Sequence, residues 1–261
     1  MDYGYQLLRH VVQQVFGNLR QAAQLTLVLF LLPLVAFLAL GGGGMAMGQM
    51  PSGGAVLGLL VVVVLSVVCY CWGAVAWHRY VLMEEIGGGA VPAWRGDRIA
   101  AYFWRAVAVM LVVILAAFGA TVVIGIAVGI TQSGGVALLL GIGLVFGISW
   151  LATRIGLVLP AAAVGVRMTI GESWAATRPV SSQILLPLIV IALVAGLVQQ
   201  AILLVFGQTV SFETFGMMQE QRVLTLPGQL VNGIVTWLQL LVNLALMTTL
   251  YGNLIEGRQL N

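Results

Sequence analysis

Four side chains near the C-terminus, Asn232, Thr236, Gln239 and Asn243, recur at helical spacing within an apolar segment and form one polar stripe on a single helix face. Gln239 and Asn243 are expected near the middle of a membrane span, where an amide must find a partner. Gln199 and Gln200, in the preceding apolar segment, are the expected partners, with the stripe turned to the bundle interior. Two chemistries fit. The stripe could line a substrate path, or it could pin helices by interhelical hydrogen bonds. The second is favoured, because ionisable residues, the usual mark of pathways and relays, are missing from the apolar segments.

A second set of candidates is cationic. Arg79, Arg105, Arg154 and Arg178 all fall next to apolar segments, where arginine can meet phosphate or carboxylate groups. Arg154 has apolar residues on both sides, and the expectation is that it snorkels to lipid headgroups. Glu172 fits the first turn of a short helix, where an acid complements the helix dipole. Between His78 and Arg105 lie Arg79, Glu84, Glu85, Arg95, Asp97 and Arg98. The spacing of His78 and Glu84 matches no standard metal motif, so the stretch is expected to be a solvated, self-paired loop. Cys69 and Cys71, two apart, point away from each other on a helix and suit packing rather than a disulfide or a metal. No cofactor, metal site or nucleic-acid interface is expected, and no catalytic residue stands out.

The elements that hold these residues follow from composition. Of 261 residues, 61% are hydrophobic and 7% charged, far below the quarter or so typical of soluble domains. The chain is thus expected to be an all-α, polytopic membrane protein with no separate soluble domain. Six apolar spans are predicted over Ala22–Leu40, Ala55–Trp77, Ala106–Ile130, Val136–Thr153, Ile184–Phe206 and Leu230–Tyr251, arranged as three helical hairpins. Pro33 and Pro187 should kink their helices or sit near an end. Gly41–Gly44 with Pro51–Gly54, and Thr131–Gly135, mark turns between spans.

Residues 1–21 are read as an interfacial helix that precedes the transmembrane domain, residues 22–261. Leu7, Leu8, Val11, Val12, Val15, Phe16 and Leu19 share one face, with Arg9, His10, Gln13, Gln14 and Asn18 on the other. Some twenty amphipathic residues before Leu25 argue for a retained anchor over a signal peptide. All 11 basic residues are arginine, and 10 fall on one side of the predicted spans, with Arg222 alone opposite. By the positive-inside rule both termini are cytoplasmic. Arg20, Arg105 and Arg178 each close an aromatic-containing stretch before an outgoing span. That is a weak threefold repeat, which the positive-inside rule alone would also produce.

The stretch from Arg154 to Arg178 interrupts the longest apolar tract, too apolar for a free loop and too charged to span. Its LxLP run at Leu157–Pro160 and the GESWAATR of Gly171–Arg178, with WHRYVLMEE at Trp77–Glu85 and RIAAYFWR at Arg98–Arg105, resemble a pattern in uncharacterised bacterial inner-membrane proteins. These look related to the membrane domain found beside some glycerophosphoryl diester phosphodiesterases. The catalytic domain of those fusions is absent, so the resemblance implies an inner-membrane location but no hydrolase residues.

Small-xxx-small pairs at Gly54 and Gly58, Gly125 and Gly129, and Gly143 and Gly147 permit close helix contact within the chain or with another subunit. The expected function is therefore non-enzymatic: a scaffold, accessory or assembly subunit acting through helix and lipid contacts, with other membrane subunits or a homo-oligomer as partners. The alternative is a permease or lipid-handling protein that uses the polar stripe.

Overall fold

A computed structural model describes residues 2–40, 53–85, 89, 91–214 and 217–260. The predicted turn at Gly41–Gly44 and Pro51–Ser52 lies outside the described residues. The elements in chain order are α1 (Asp2–Phe16), α2 (Leu19–Ala39), α3 (Gly53–Met83), α4 (Gly96–Thr131), α5 (Gly134–Ile155), α6 (Val158–Val164) and α7 (Ile170–Ala176), followed by α8 (Leu185–Phe206), β1 (Gly207–Thr214), β2 (Met217–Leu224) and α9 (Leu226–Leu254). A 3₁₀ turn at Arg178–Val180 joins α7 to α8.

Six of these helices, α2, α3, α4, α5 (continued through α6), α8 and α9, are long and apolar enough to cross a membrane. They pack as three hairpins, α2 with α3, α4 with α5, and α8 with α9. The protein is a mostly helical, multi-pass membrane protein. The α4–α5 turn falls where the glycines and Ser133 predict it. Gln132 adopts the left-handed conformation at the α4 C-cap, and Ser133 Oγ accepts from Val136 N at 3.4 Å to cap α5. Pro33 is inside α2 and Pro187 is in the first turn of α8. Arg20, Arg105 and Arg178 hold three different positions: second residue of α2, mid-α4, and the 3₁₀ turn.

The connection between α8 and α9 is an antiparallel hairpin that the hydropathy pattern does not anticipate. Gly207 pairs with Leu224, Thr209 with Arg222 and Ser211 with Glu220. Thr225 closes it, its N–H and Oγ1 both donating to Phe206 O at 3.0 Å.

Burial divides the bundle in two. At the arginine-rich end, Leu7, Val11 and Val15 of α1, Trp77 and Leu82 of α3, Tyr102 of α4 and Leu241, Leu246 and Leu250 of α9 form one core. At the other end, Leu115, Phe118 and Ile130 of α4, Leu138 and Leu139 of α5, and Leu204 and Val205 of α8 are exposed. A bilayer explains the contrast. Lipid tails are as apolar as leucine, so only helix segments outside the hydrocarbon must bury their apolar faces against protein.

The centre of that core is α6, VLPAAAV, which touches α3, α4 and α9. Its Pro160 and three consecutive alanines are buried, and these short side chains let three helices approach it at once. Gly165 ends it at φ +90°, and a Cβ there would lie 2.3 Å from Arg98 Nη1. The positive φ is what calls for glycine, since the Arg98 guanidinium is the far end of a flexible side chain that can move aside. Cys69 and Cys71 are buried and unbridged, as packing residues should be.

Candidate functional site

Arg154, one residue before the end of α5, is 5% exposed. It does not snorkel outward. Its guanidinium lies 3.4 Å from the Trp174 ring centroid and 4.9 Å from that of Trp150, the two indoles packing edge to face with centroids 5.6 Å apart. Nε donates to Thr177 Oγ1 at 3.2 Å and Nη2 to Trp174 O at 2.9 Å. Trp150 precedes Arg154 by one helical turn, so both point the same way. The opposite wall comes from α7, which is set by a capping box. Thr169 Oγ1 accepts from Glu172 N at 3.2 Å, and Glu172 Oε2 accepts from Thr169 N at 2.7 Å. The Thr169 backbone bond first, then a hydrogen bond from the Thr169 side chain, hold the Glu172 carboxyl below the usual range, and the Arg105 charge adds to them. Ser173 then anchors α7 to α5: its Oγ donates to Arg154 O at 2.7 Å and accepts from Leu157 N at 3.2 Å. Trp150 Nε1 donates to Ser181 O at 2.7 Å and ties in the chain beyond the 3₁₀ turn. The Trp150–Arg154 spacing was the available sequence signal for this cage.

The other cationic candidates are spread out. Arg79 donates to Glu85 Oε2 at 2.7 Å and to Ala163 O at 3.1 Å, while Arg95 binds Glu85 Oε1 at 2.8 Å. Arg105 is half-buried on α4, and Arg178 is exposed beside Arg154, close enough for their charges to repel. Partial burial pushes the Glu85 carboxyl up, but hydrogen bonds from Arg95 and Arg79, together with their charges, outweigh it and leave the group below the usual range.

His78 corrects the expected solvated loop. Helix α3 continues to Met83, and His78 is 0% exposed inside the core. Its Nδ1 lies 2.8 Å from Thr248 Oγ1, whose own proton goes to Leu244 O at 2.6 Å. That assigns the imidazole proton to Nδ1 and leaves Nε2 with no hydrogen-bond partner among the described residues. The stretch is self-paired as expected, but it is helical up to Met83 and again from Gly96.

The polar stripe keeps its face but not its expected partners. Thr236 and Asn243 are exposed, and Asn232 and Gln239 are half-buried. Thr236 Oγ1 donates to Asn232 O at 2.8 Å and Asn243 Nδ2 to Gln239 O at 2.9 Å, both within α9. Gln199 and Gln200 are exposed on α8. The roughly opposite face of α9, with Trp237, Leu241 and Leu244, is the one that packs. Trp237 Nε1 donates to Thr26 Oγ1 of α2 at 2.9 Å, beside a cavity of about 230 Å³ between α2, α3 and α9 that Thr26, Ser66 and Tyr70 line.

Among the described residues no atom lies within 4 Å of where a Cβ on Gly125, Gly129, Gly143 or Gly147 would stand, whereas Gly58 packs on Leu40. No family model, curated protein or solved structure matches the chain.

Proposed function

We propose that the protein is a non-enzymatic scaffold or assembly subunit that works by helix contact, with the α4–α5 hairpin as its docking element. One observation carries this reading. Above the arginine-rich end the hairpin is exposed on nearly every side, and among the described residues nothing lies within 4 Å of where a Cβ on Gly125, Gly129, Gly143 or Gly147 would stand. Glycine faces of this kind let a second helix approach closely enough for dispersion and Cα–H contacts to hold it. The partner is another membrane subunit or a second copy of this chain. The arginine-rich end, with both termini, faces the cytoplasm of a bacterial inner membrane, by the charge rule that orients short loops.

The experiment is gentle extraction of the tagged protein beside two variants, Gly125→Leu/Gly129→Leu and Gly143→Leu/Gly147→Leu. Open space around these positions means that the fold should melt at an unchanged temperature. Loss of the co-purifying subunit or of the oligomer in either variant is expected. A wild-type chain that runs as a bare monomer in mild detergent and in nanodiscs would sink the reading.

A second reading is a permease or lipid-handling protein that uses the stripe, but the exposure of Thr236 and Asn243 counts against a path inside the bundle. Gln239→Leu/Asn243→Leu separates the two. Under this reading the variant stays folded yet loses transport or lipid transfer, whereas a contact protein keeps its partner.

A further inference from the structure

Helix α1 carries two apolar faces. Leu7, Val11 and Val15 are buried on α9 and the start of α8. About 110° round the helix, Tyr5, Val12 and Phe16 stand 63%, 42% and 54% exposed, with Arg9 exposed beside them. Leu19 and Arg20, also exposed, continue this pairing at the start of α2.

Both ends of α1 are fixed at the starts of membrane spans. The C-terminal end meets α2 through Gly17 and Asn18 alone, and Asn18 O accepts from Ala22 N at 2.9 Å. At the other end, Gly4 packs so closely on the chain just before α8 that a Cβ would lie 2.6 Å from Gln183 O. Between these points, Tyr3 Oη donates to Asn253 Oδ1 at 2.8 Å, and Gln14 Oε1 accepts from Thr249 Oγ1 at 3.0 Å. Tyr3 and Gln14 are about 16 Å apart along α1, while Thr249 and Asn253 are about 6 Å apart along α9. The helices therefore cross steeply. A helix that crosses a spanning helix in this way, with both ends level with span starts, lies in the plane of the membrane surface.

The geometry points to the Tyr5–Val12–Phe16 face, with Arg9 and Arg20, as a docking surface for an anionic bilayer leaflet. The occupant is set by position and by charge. Three large apolar side chains at that level meet the acyl–headgroup boundary, and two guanidinium groups stand where lipid phosphates and acidic headgroups lie. Asp2, at the first position of α1, is the one acidic residue up to Arg20, so the two guanidinium groups outnumber it. This surface is separate from the α4–α5 hairpin.

The test uses the full chain with Cys69→Ala and Cys71→Ala, carrying Val12→Cys labelled with a fluorophore, in mixed phosphatidylglycerol–phosphatidylcholine nanodiscs in which one or the other lipid is brominated. A Gln13→Cys label on the polar side serves as reference, and elution volume and circular dichroism confirm the fold. Quenching is expected at Val12 and not at Gln13, and it should be stronger with the anionic quencher. Arg9 and Arg20 supply the preference for the anionic lipid, so Arg9→Gln/Arg20→Gln should bring the two quenchers together. Absence of quenching at Val12 would overturn the docking surface. Equal quenching by both lipids in the wild-type chain would overturn its anionic preference.

Discussion

The guanidinium of Arg154 stacks 3.4 Å from the ring centroid of Trp174, twenty residues on, and donates to that residue's own carbonyl at 2.9 Å. One side chain thereby joins the end of α5 to α7 through the face of an indole and its backbone. A cation–π contact between a buried guanidinium and a partly exposed indole contributes about 0.5–2 kcal/mol, and guanidinium does this better than ammonium because its plane lies flat on the ring. Arg154→Lys should lower stability by about 1–3 kcal/mol in detergent melts, and Trp174→Ala should do the same. Trp174→Phe should cost less than Trp174→Ala. A lysine variant that melts with the wild type would show that the cage holds nothing.

The His78–Thr248 hydrogen bond makes a sharper case. Thr248→Val keeps the side-chain shape but leaves the Nδ1–H of a fully buried ring unmet, at a cost of about 1–3 kcal/mol. Removing both partners removes that penalty. The double variant His78→Leu/Thr248→Val is therefore expected to be more stable than Thr248→Val alone, a non-additivity that chemical denaturation of the four chains would reveal. Additive losses would mean that the two residues are not coupled.

These two sites show where the sequence was readable. The six spans follow from length and hydropathy, since a bilayer accepts little but helices of about twenty apolar residues. At the arginine-rich end that logic lapses. There α3 runs on through His78 and Arg79, because each finds a partner in another element, Thr248 for one and Glu85 with Ala163 O for the other. Hydropathy counts such residues as loop, and only the fold supplies the partner. The stripe shows the same division. Its period placed Asn232, Thr236, Gln239 and Asn243 on one face, but which face of α9 packs was decided by Trp237, Leu241 and Leu244 and by Thr26 on a helix two hundred residues earlier. The β1–β2 hairpin was illegible for a related reason. A strand pair eight residues long per arm leaves no mark in a window set to find helices.

Acid should loosen the loop that follows α3. Glu85 bridges Arg79 and Arg95, and its carboxyl is held below the ordinary range. A depressed carboxylate contributes stability that is complete above the ordinary value of about 4.3 and is lost as pH falls through its folded value. Limited proteolysis between Glu84 and Arg95 should accelerate on acidification below about pH 4 in the wild type. Glu85→Gln should be cut faster at neutral pH and show a flatter pH dependence. Equal slopes in the two chains would remove the bridge from the account.

Alkali should act on α1 through Tyr3. Its phenol is half-buried against α9, donates to Asn253 Oδ1, and is pushed up to about 12 by desolvation. The folded chain therefore favours the protonated form. The contribution is complete below the ordinary phenol value of about 10 and is lost as pH rises through the folded value. Hydrogen exchange of residues 2–16 should show loss of protection between about pH 10 and 12, ahead of the spanning helices, whose backbone hydrogen bonds are shielded by lipid. Tyr3→Phe lacks the ionising group, so its α1 should start less protected, for want of the Asn253 bond, and should change little over the same interval. If both chains lose protection in parallel, Tyr3 ionisation is not what releases the helix, and the hold of α1 rests on Leu7, Val11 and Val15 with the Gln14–Thr249 hydrogen bond.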